Sequence, residues 1–167
     1  MPPTPELLAL ARAAASKHAL DFSFSVSGAT YDAAALVCAV VEQESAWDAH
    51  AIRYEPAFRT RYVAPLGLPP TEEIARSISW GLMQVMGQVA REHGFSGKFL
   101  SALCEPAAGL DIGCVVFAAK LAAGGAQESG QGITVDENLI ARALQLWNGG
   151  ANPDYAAQVL ARLPHYK

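Results

Sequence analysis

Apolar residues recur at helical spacing over most of the chain, and the interruptions mark where the helices stop. Thr4-Pro5-Glu6 is a helix start, with Thr as N-cap and Pro in the first turn, and apolar positions continue to about Ala15. Asp21 to Gly28 alternates apolar and polar residues, which suits a short strand or an extended loop. Thr30 is placed to cap a second helix running through Ala33-Ala34-Ala35-Leu36-Val37 to about Ser45. Residues 48–70 break the pattern with Arg53, Arg59 and Arg61, the aromatics Tyr54, Phe58 and Tyr62, and four prolines, and read as a long ordered loop with room for a small hairpin. Helical patterns return over 71–76, 82–92, 96–103, 106–123, 135–147 and 153–162. Gly124-Gly125 and a polar stretch to Gly132 separate two of them. With no repeat or low-complexity tract, the expectation is one mainly α domain over residues 1–167, a helical bundle with at most a small β-hairpin.

Bulk chemistry narrows the function classes. The chain has 167 residues, 51% apolar and 17% charged, enough for one substantial core. Its net charge, 12 − 16 = −4, argues against a nucleic-acid partner. No run of about 18 consecutive strongly apolar residues suggests a membrane span. Met1-Pro2-Pro3-Thr4-Pro5-Glu6 lacks the basic and apolar regions of a secretory signal, so a cytoplasmic location, or export by another route, is expected. Cys38, Cys104 and Cys114 are an odd number without metal-ligand spacing; Cys38 reads as a buried thiol, and a Cys104–Cys114 bridge is left open. His18, His50, His93 and His165 share no ligand spacing, and neither a GxxxxGK[ST] loop nor a GxSxG elbow occurs, so no metal or cofactor is expected. A monomer is the simplest expectation.

One local pattern carries chemistry. In a helix over Val37-Cys38-Ala39-Val40-Val41-Glu42-Gln43-Glu44-Ser45, steps of about 100° put Glu44 on a face with Val37, Val40 and Val41, and Glu42 far around the helix, towards solvent. Burial and the negative end of the helix dipole would both raise the Glu44 pKa. A raised-pKa carboxylic acid is what protonation of a glycosidic oxygen requires. Position alone also fits an ordinary surface glutamate.

Context favours the first reading. Glu44-Ser45-Ala46-Trp47, then Gly81-Leu82-Met83-Gln84, then Trp147-Asn148-Gly149-Gly150 with Tyr155 beyond, resemble in order the three motifs of soluble lytic transglycosylases. Ile52-Arg53-Tyr54-Glu55-Pro56-Ala57-Phe58 with Ser79-Trp80-Gly81 is also similar to phage-type N-acetylmuramidases. Both resemblances imply a lysozyme-like fold and cleavage of the β-1,4-linked backbone of peptidoglycan, as in a bacteriolytic phage endolysin that reaches the wall after membrane permeabilisation.

The resemblance implies that Glu44 is the general acid and then the base, and that Ser45 helps to position the site. Gly81 would let backbone approach sugar, and Met83 and Gln84 would form the cleft wall, the Gln84 amide binding an N-acetyl group. Trp147 stands where the family has Tyr, so it either keeps a donor role towards Glu44 or merely packs. Asn148 would order its turn. Tyr155 and Trp80 would line or stack on sugar, or else pack in the core. Glu55 is the candidate second carboxylate, or an ion-pair partner of Arg53 or Arg59. A transglycosylase needs one carboxylate and releases a 1,6-anhydro sugar. A hydrolytic muramidase, or a chitinase-like enzyme, needs a second carboxylate or an oriented water. A non-catalytic glycan-binding module is the third reading.

Overall fold

The computed structural model describes residues 3–126, 128–129, 132–133 and 135–167. The polar stretch expected to run to Gly132 falls largely outside the fully described residues. Among those described there are eight α-helices, and α2 (Ala33–Ser45) is the central one. Every residue from Leu36 to Val41 is fully buried, so α2 has no solvent face along this stretch. A helix apolar all round is stable only when other elements cover it. Here α1 (Pro5–Lys17), α8 (Tyr155–Leu160) and a 3-10 turn over Leu163–Tyr166 pack against it.

Thr4 caps α1 through its side chain, as its sequence suggests. The cap of α2 is Asp32, whose carboxylate accepts from the Ala35 N–H at 2.7 Å. Thr30 lies instead in β2 (Ala29–Asp32), which pairs antiparallel with β1 (Ser23–Val26). The two-residue loop between them, Ser27-Gly28, has positive φ at both positions, the backbone of the tightest hairpins. The alternation over 21–28 therefore belongs to a strand.

The β component exceeds the single hairpin expected. β3 (Ile52–Tyr54) pairs antiparallel with β4 (Ile78–Trp80), which pairs with β5 (Val85–Met86). Short β6 (Glu128–Ser129) and β7 (Gly132–Ile133) pair likewise. Between β3 and β4 lie α3 (Pro56–Phe58), a π-helical turn over Arg59–Val63, a 3-10 turn over Ala64–Leu66 and α4 (Pro70–Arg76). The helix expected over 82–92 begins only at α5 (Gly87–Glu92), because residues 81–84 form the β4–β5 turn, with positive φ at Gly81 and Gln84.

The 18-residue α6 (Pro106–Ala123) is long and apolar enough to cross a membrane by length and composition, with mean hydropathy 1.5. In this fold it is a core helix packed against α1 and α7 (Glu137–Asn148), and Phe117 and Leu110 are buried in it. Cys38, Cys104 and Cys114 are free thiols, so the bridge left open by the sequence is absent. Burial pushes the Cys38 and Cys114 thiols up to about 12.

Two glycines fix the β4–β5 turn against the core. A Cβ on Gly81 would lie 2.3 Å from the Leu103 carbonyl oxygen, and one on Gly113 of α6 would lie 2.2 Å from the Met83 sulfur. Gly81 also needs φ +66°, where a side chain is strained. Gly81→Ala is therefore expected to destabilise the protein by about 1–3 kcal/mol, read as a lower chemical-denaturation midpoint. An unchanged midpoint would mean that the turn yields without cost.

Candidate active site

With the start of α8 behind them, the end of α2 and the end of α7 meet at a cleft of about 450 Å³. Glu44 reaches it from the last turn of α2, where no further helical residues cover the side chain. The chain then turns sharply, with Ala46 at φ +50° and Trp47 at φ +66°, two left-handed non-glycine residues in succession. That backbone is costly and persists only when its surroundings hold it. Trp47 is buried and donates through Nε1 to the Tyr166 hydroxyl at 2.8 Å, which in turn donates to Glu42 Oε2 at 2.6 Å. Ser45 ties the same corner to the β4–β5 turn: its hydroxyl lies 2.8 Å from the Leu82 carbonyl.

Glu44 Oε1 accepts two hydrogen bonds, from Trp147 Nε1 at 3.0 Å and from the Tyr155 hydroxyl at 2.5 Å. Trp147 also packs edge-on against Phe117, so it fills both roles left open for it. Tyr155 is buried, and its ring packs in the core while its hydroxyl orients Glu44. Glu44 Oε2 takes no hydrogen bond from the described residues. An indole N–H can only donate, so a proton on the carboxyl is directed to Oε2.

Burial raises the Glu44 pKa, and this outweighs the lowering by the Tyr155 and Trp147 donors and by the Arg53 charge. Glu42, two residues away, goes the other way. It is half-buried rather than solvated, and hydrogen bonds from His165 and Tyr166, with the charges of His165 and Arg162, lower its pKa against the burial cost. Both carboxylates are partly covered, so the neighbours of each, and not helical phase alone, separate them. Glu44 is thus an acid suited to hold a proton at higher pH than a free carboxyl does.

The other candidates divide. Glu55, Gln84, Trp147 and Asn148 line the cleft with Glu44. Glu55 is ion-paired through Oε1 with Arg53 at 2.5 Å, which also lines the cleft and which the sequence alone did not single out as a site residue. Gln84 spends its amide within the protein: Nε2 donates to the Ala51 and Gly81 carbonyls, both at 2.9 Å, and Oε1 accepts from the Ser79 hydroxyl at 2.9 Å. With both N–H groups used, the amide braces the cleft wall and has no free N–H for an N-acetyl group. Asn148 Nδ2 donates to the Asn152 carbonyl at 3.3 Å and closes the loop after α7, while Gly149 ends the helix at φ +69°.

Ser45, Trp80, Gly81, Met83 and Tyr155 are not among the cleft-lining residues. Met83 is fully buried, its side chain seated on Gly113, and so is core rather than wall. Trp80 is buried and donates to the Ala75 carbonyl at 3.0 Å, so its ring has no open face for sugar. The close approach that requires Gly81 is to the Leu103 backbone.

The family model for the transglycosylase SLT domain matches residues 24–151, more than half of the chain. The match takes in Glu44, the β4–β5 turn and Trp147-Asn148, and stops before Tyr155. The mainly α architecture is consistent with the lysozyme-like fold that the resemblance implies. Neither the curated proteins nor the solved structures compared with the chain gave a match.

Tyr155→Phe deletes a donor to the charged form of Glu44 and leaves the ring in place. The Glu44 carboxyl should then titrate at higher pH than in the wild type, as followed by carbon-13 NMR of that carboxyl. A midpoint that stays put or falls would contradict the hydrogen-bond account.

Proposed function

The chain belongs to the transglycosylase SLT family, and on that premise we propose that it cleaves the β-1,4 bond between N-acetylmuramic acid and N-acetylglucosamine, with Glu44 as sole catalytic carboxyl. The observation that carries this reading is the asymmetry of Glu44: one oxygen is held by Trp147 and Tyr155, and the other is left for substrate in the cleft. In the proposed first step, the proton on Oε2 passes to the glycosidic oxygen as its bond to the muramyl C1 breaks. Glu44, now a carboxylate, takes the proton of the same sugar's C6 hydroxyl as that oxygen bonds to C1. The products are a 1,6-anhydromuramyl end and a free 4-hydroxyl, with no water consumed. The Trp147 and Tyr155 donors serve the second step, since they stabilise the carboxylate that the first step creates.

A hydrolytic route needs a second carboxylate or an oriented water. Glu55 lines the cleft, but its ion pair with Arg53 engages one oxygen and compensates its charge. That arrangement supports the single-carboxyl route over the muramidase or chitinase-like alternatives. A complete acid site supports an enzyme over a binding module.

Digestion of purified peptidoglycan followed by mass spectrometry is expected to give 1,6-anhydro ends; reducing ends in their place would make the enzyme a hydrolase. Glu44→Gln should lower the rate by at least about 100-fold. Full activity in that variant would remove Glu44 from the mechanism. Stability should respond oppositely. The folded pKa of Glu44 lies above its unfolded value, so its contribution to stability is complete below the unfolded pKa and is lost as pH rises through the folded one. Glu44→Gln removes that loss, so at neutral pH the variant should be at least as stable as the wild type in urea titration. A markedly less stable variant would contradict this sign.

A further inference from the structure

The segment between β3 and β4 carries aromatic surface that the acid site does not use. Phe58 lines the cleft, and Tyr62, one helical turn on, lies beside it with ring centroids 4.9 Å apart and planes tilted by 47°. Tyr62 is 49% exposed. The segment beneath it is anchored. Val63 is fully buried, and Arg59, the first residue of this turn, is bound to Glu73 through Nε and Nη2, both at 2.6 Å. Arg59 Nη1 also lies 3.4 Å from the Tyr54 hydroxyl. Arg61 lies over one face of the Tyr62 ring, its guanidinium carbon 5.1 Å from the centroid, which steadies the ring.

We propose that Phe58 and Tyr62 form a saccharide-stacking shelf that extends the cleft by one further sugar site, taking the apolar face of an amino-sugar pyranose away from the cleaved bond. The proposal rests on the glycan-cleaving reading above for the class of ligand. Three features support it. The pair is continuous with the cleft through Phe58. Tyr62, 49% exposed, keeps ring surface that neither Phe58 nor Arg61 covers, and the C–H face of a pyranose can pack there. The Arg61 guanidinium supplies the donors that sugar hydroxyls and an N-acetyl carbonyl need alongside such a face. The shelf therefore favours long glycan strands over short ones without taking part in bond cleavage.

The test is the binding of chitobiose and chitohexaose to the whole protein by calorimetry, in the wild type, Tyr62→Ala, Tyr62→Phe and Phe58→Ala, with a urea titration of each to check folding. Chitohexaose should bind more tightly than chitobiose. Tyr62→Ala should weaken chitohexaose roughly three- to tenfold and leave chitobiose unchanged. Tyr62→Phe keeps the ring and should restore the wild-type difference. Tyr62 is exposed, so its variants should fold even if Phe58→Ala does not. If Tyr62→Ala keeps the full preference for chitohexaose, or weakens both sugars equally, the shelf is overturned. It is also overturned if the variants lose binding to anionic phospholipid vesicles and not to the long sugar, since the aromatic and arginine cluster would then be a membrane contact. Binding does not depend on turnover. Loss of the length increment in Tyr62→Ala without any peptidoglycan cleavage by the wild type would uphold the shelf and sink the cleavage reading.

Discussion

The structure depends on the cost of keeping one carboxyl group out of water. Glu44 stands at the end of a helix that the protein buries on every side from Leu36 to Val41, and burial raises its pKa more than its partners lower it. A buried carboxylate needs donors, and a buried acid needs somewhere to place its proton. Trp147 and Tyr155 satisfy both needs on one oxygen and leave the other to the cleft. The ends of α7 and α8 must therefore be brought to the end of α2, and the loop between them, closed by Asn148 and Asn152, is set by that requirement.

The surroundings of the acid are built from contacts that hold backbone and not sugar. Ser45 reaches the Leu82 carbonyl, Gln84 braces Ala51 and Gly81, Gly81 accommodates Leu103, and Met83 fills the space over Gly113. These residues join the β4–β5 turn to α2 and α6, so the wall of the cleft is continuous with the core behind it. On the far side of α2, Trp47, Tyr166 and Glu42 form a chain of hydrogen bonds that supports the left-handed turn after Ser45. Two glutamates two residues apart thus have opposed electrostatics: the carboxyl pKa of Glu44 is raised by burial and that of Glu42 is held low by its donors and cations.

Much of this was legible in the sequence, and the misreadings share a cause. The caps and lengths of α1 and α6 follow from local rules, and the order of the Glu44, Gly81–Gln84 and Trp147–Gly150 motifs pointed to the fold. Helix phase misjudged Glu42, because α2 has no solvent face along its core and the covering residues come from the far end of the chain. The β4–β5 turn looked helical, because Leu82, Met83, Val85 and Val89 fit a helical stripe and nothing local reveals that Gln84 adopts φ +48°. The resemblance put Trp80, Gly81 and Met83 near sugar, whereas tertiary packing uses them in the core. Tyr155 was read as a subsite or packing residue, and its hydroxyl bond to Glu44 depends on a fold-level approach that no spacing encodes.

The separation of Glu44 from its two donors along the chain has a consequence for how the protein is made. Trp147 and Tyr155 lie 103 and 111 positions away. Contacts that close such long loops carry a large entropy cost and form late. Until α7 and α8 have docked, Glu44 lacks both its donors and the Trp147 and Tyr155 rings that help to cover it. The raised pKa of Glu44 and the orientation of its carboxyl are therefore properties of the finished tertiary structure, acquired only as distant parts of the chain meet.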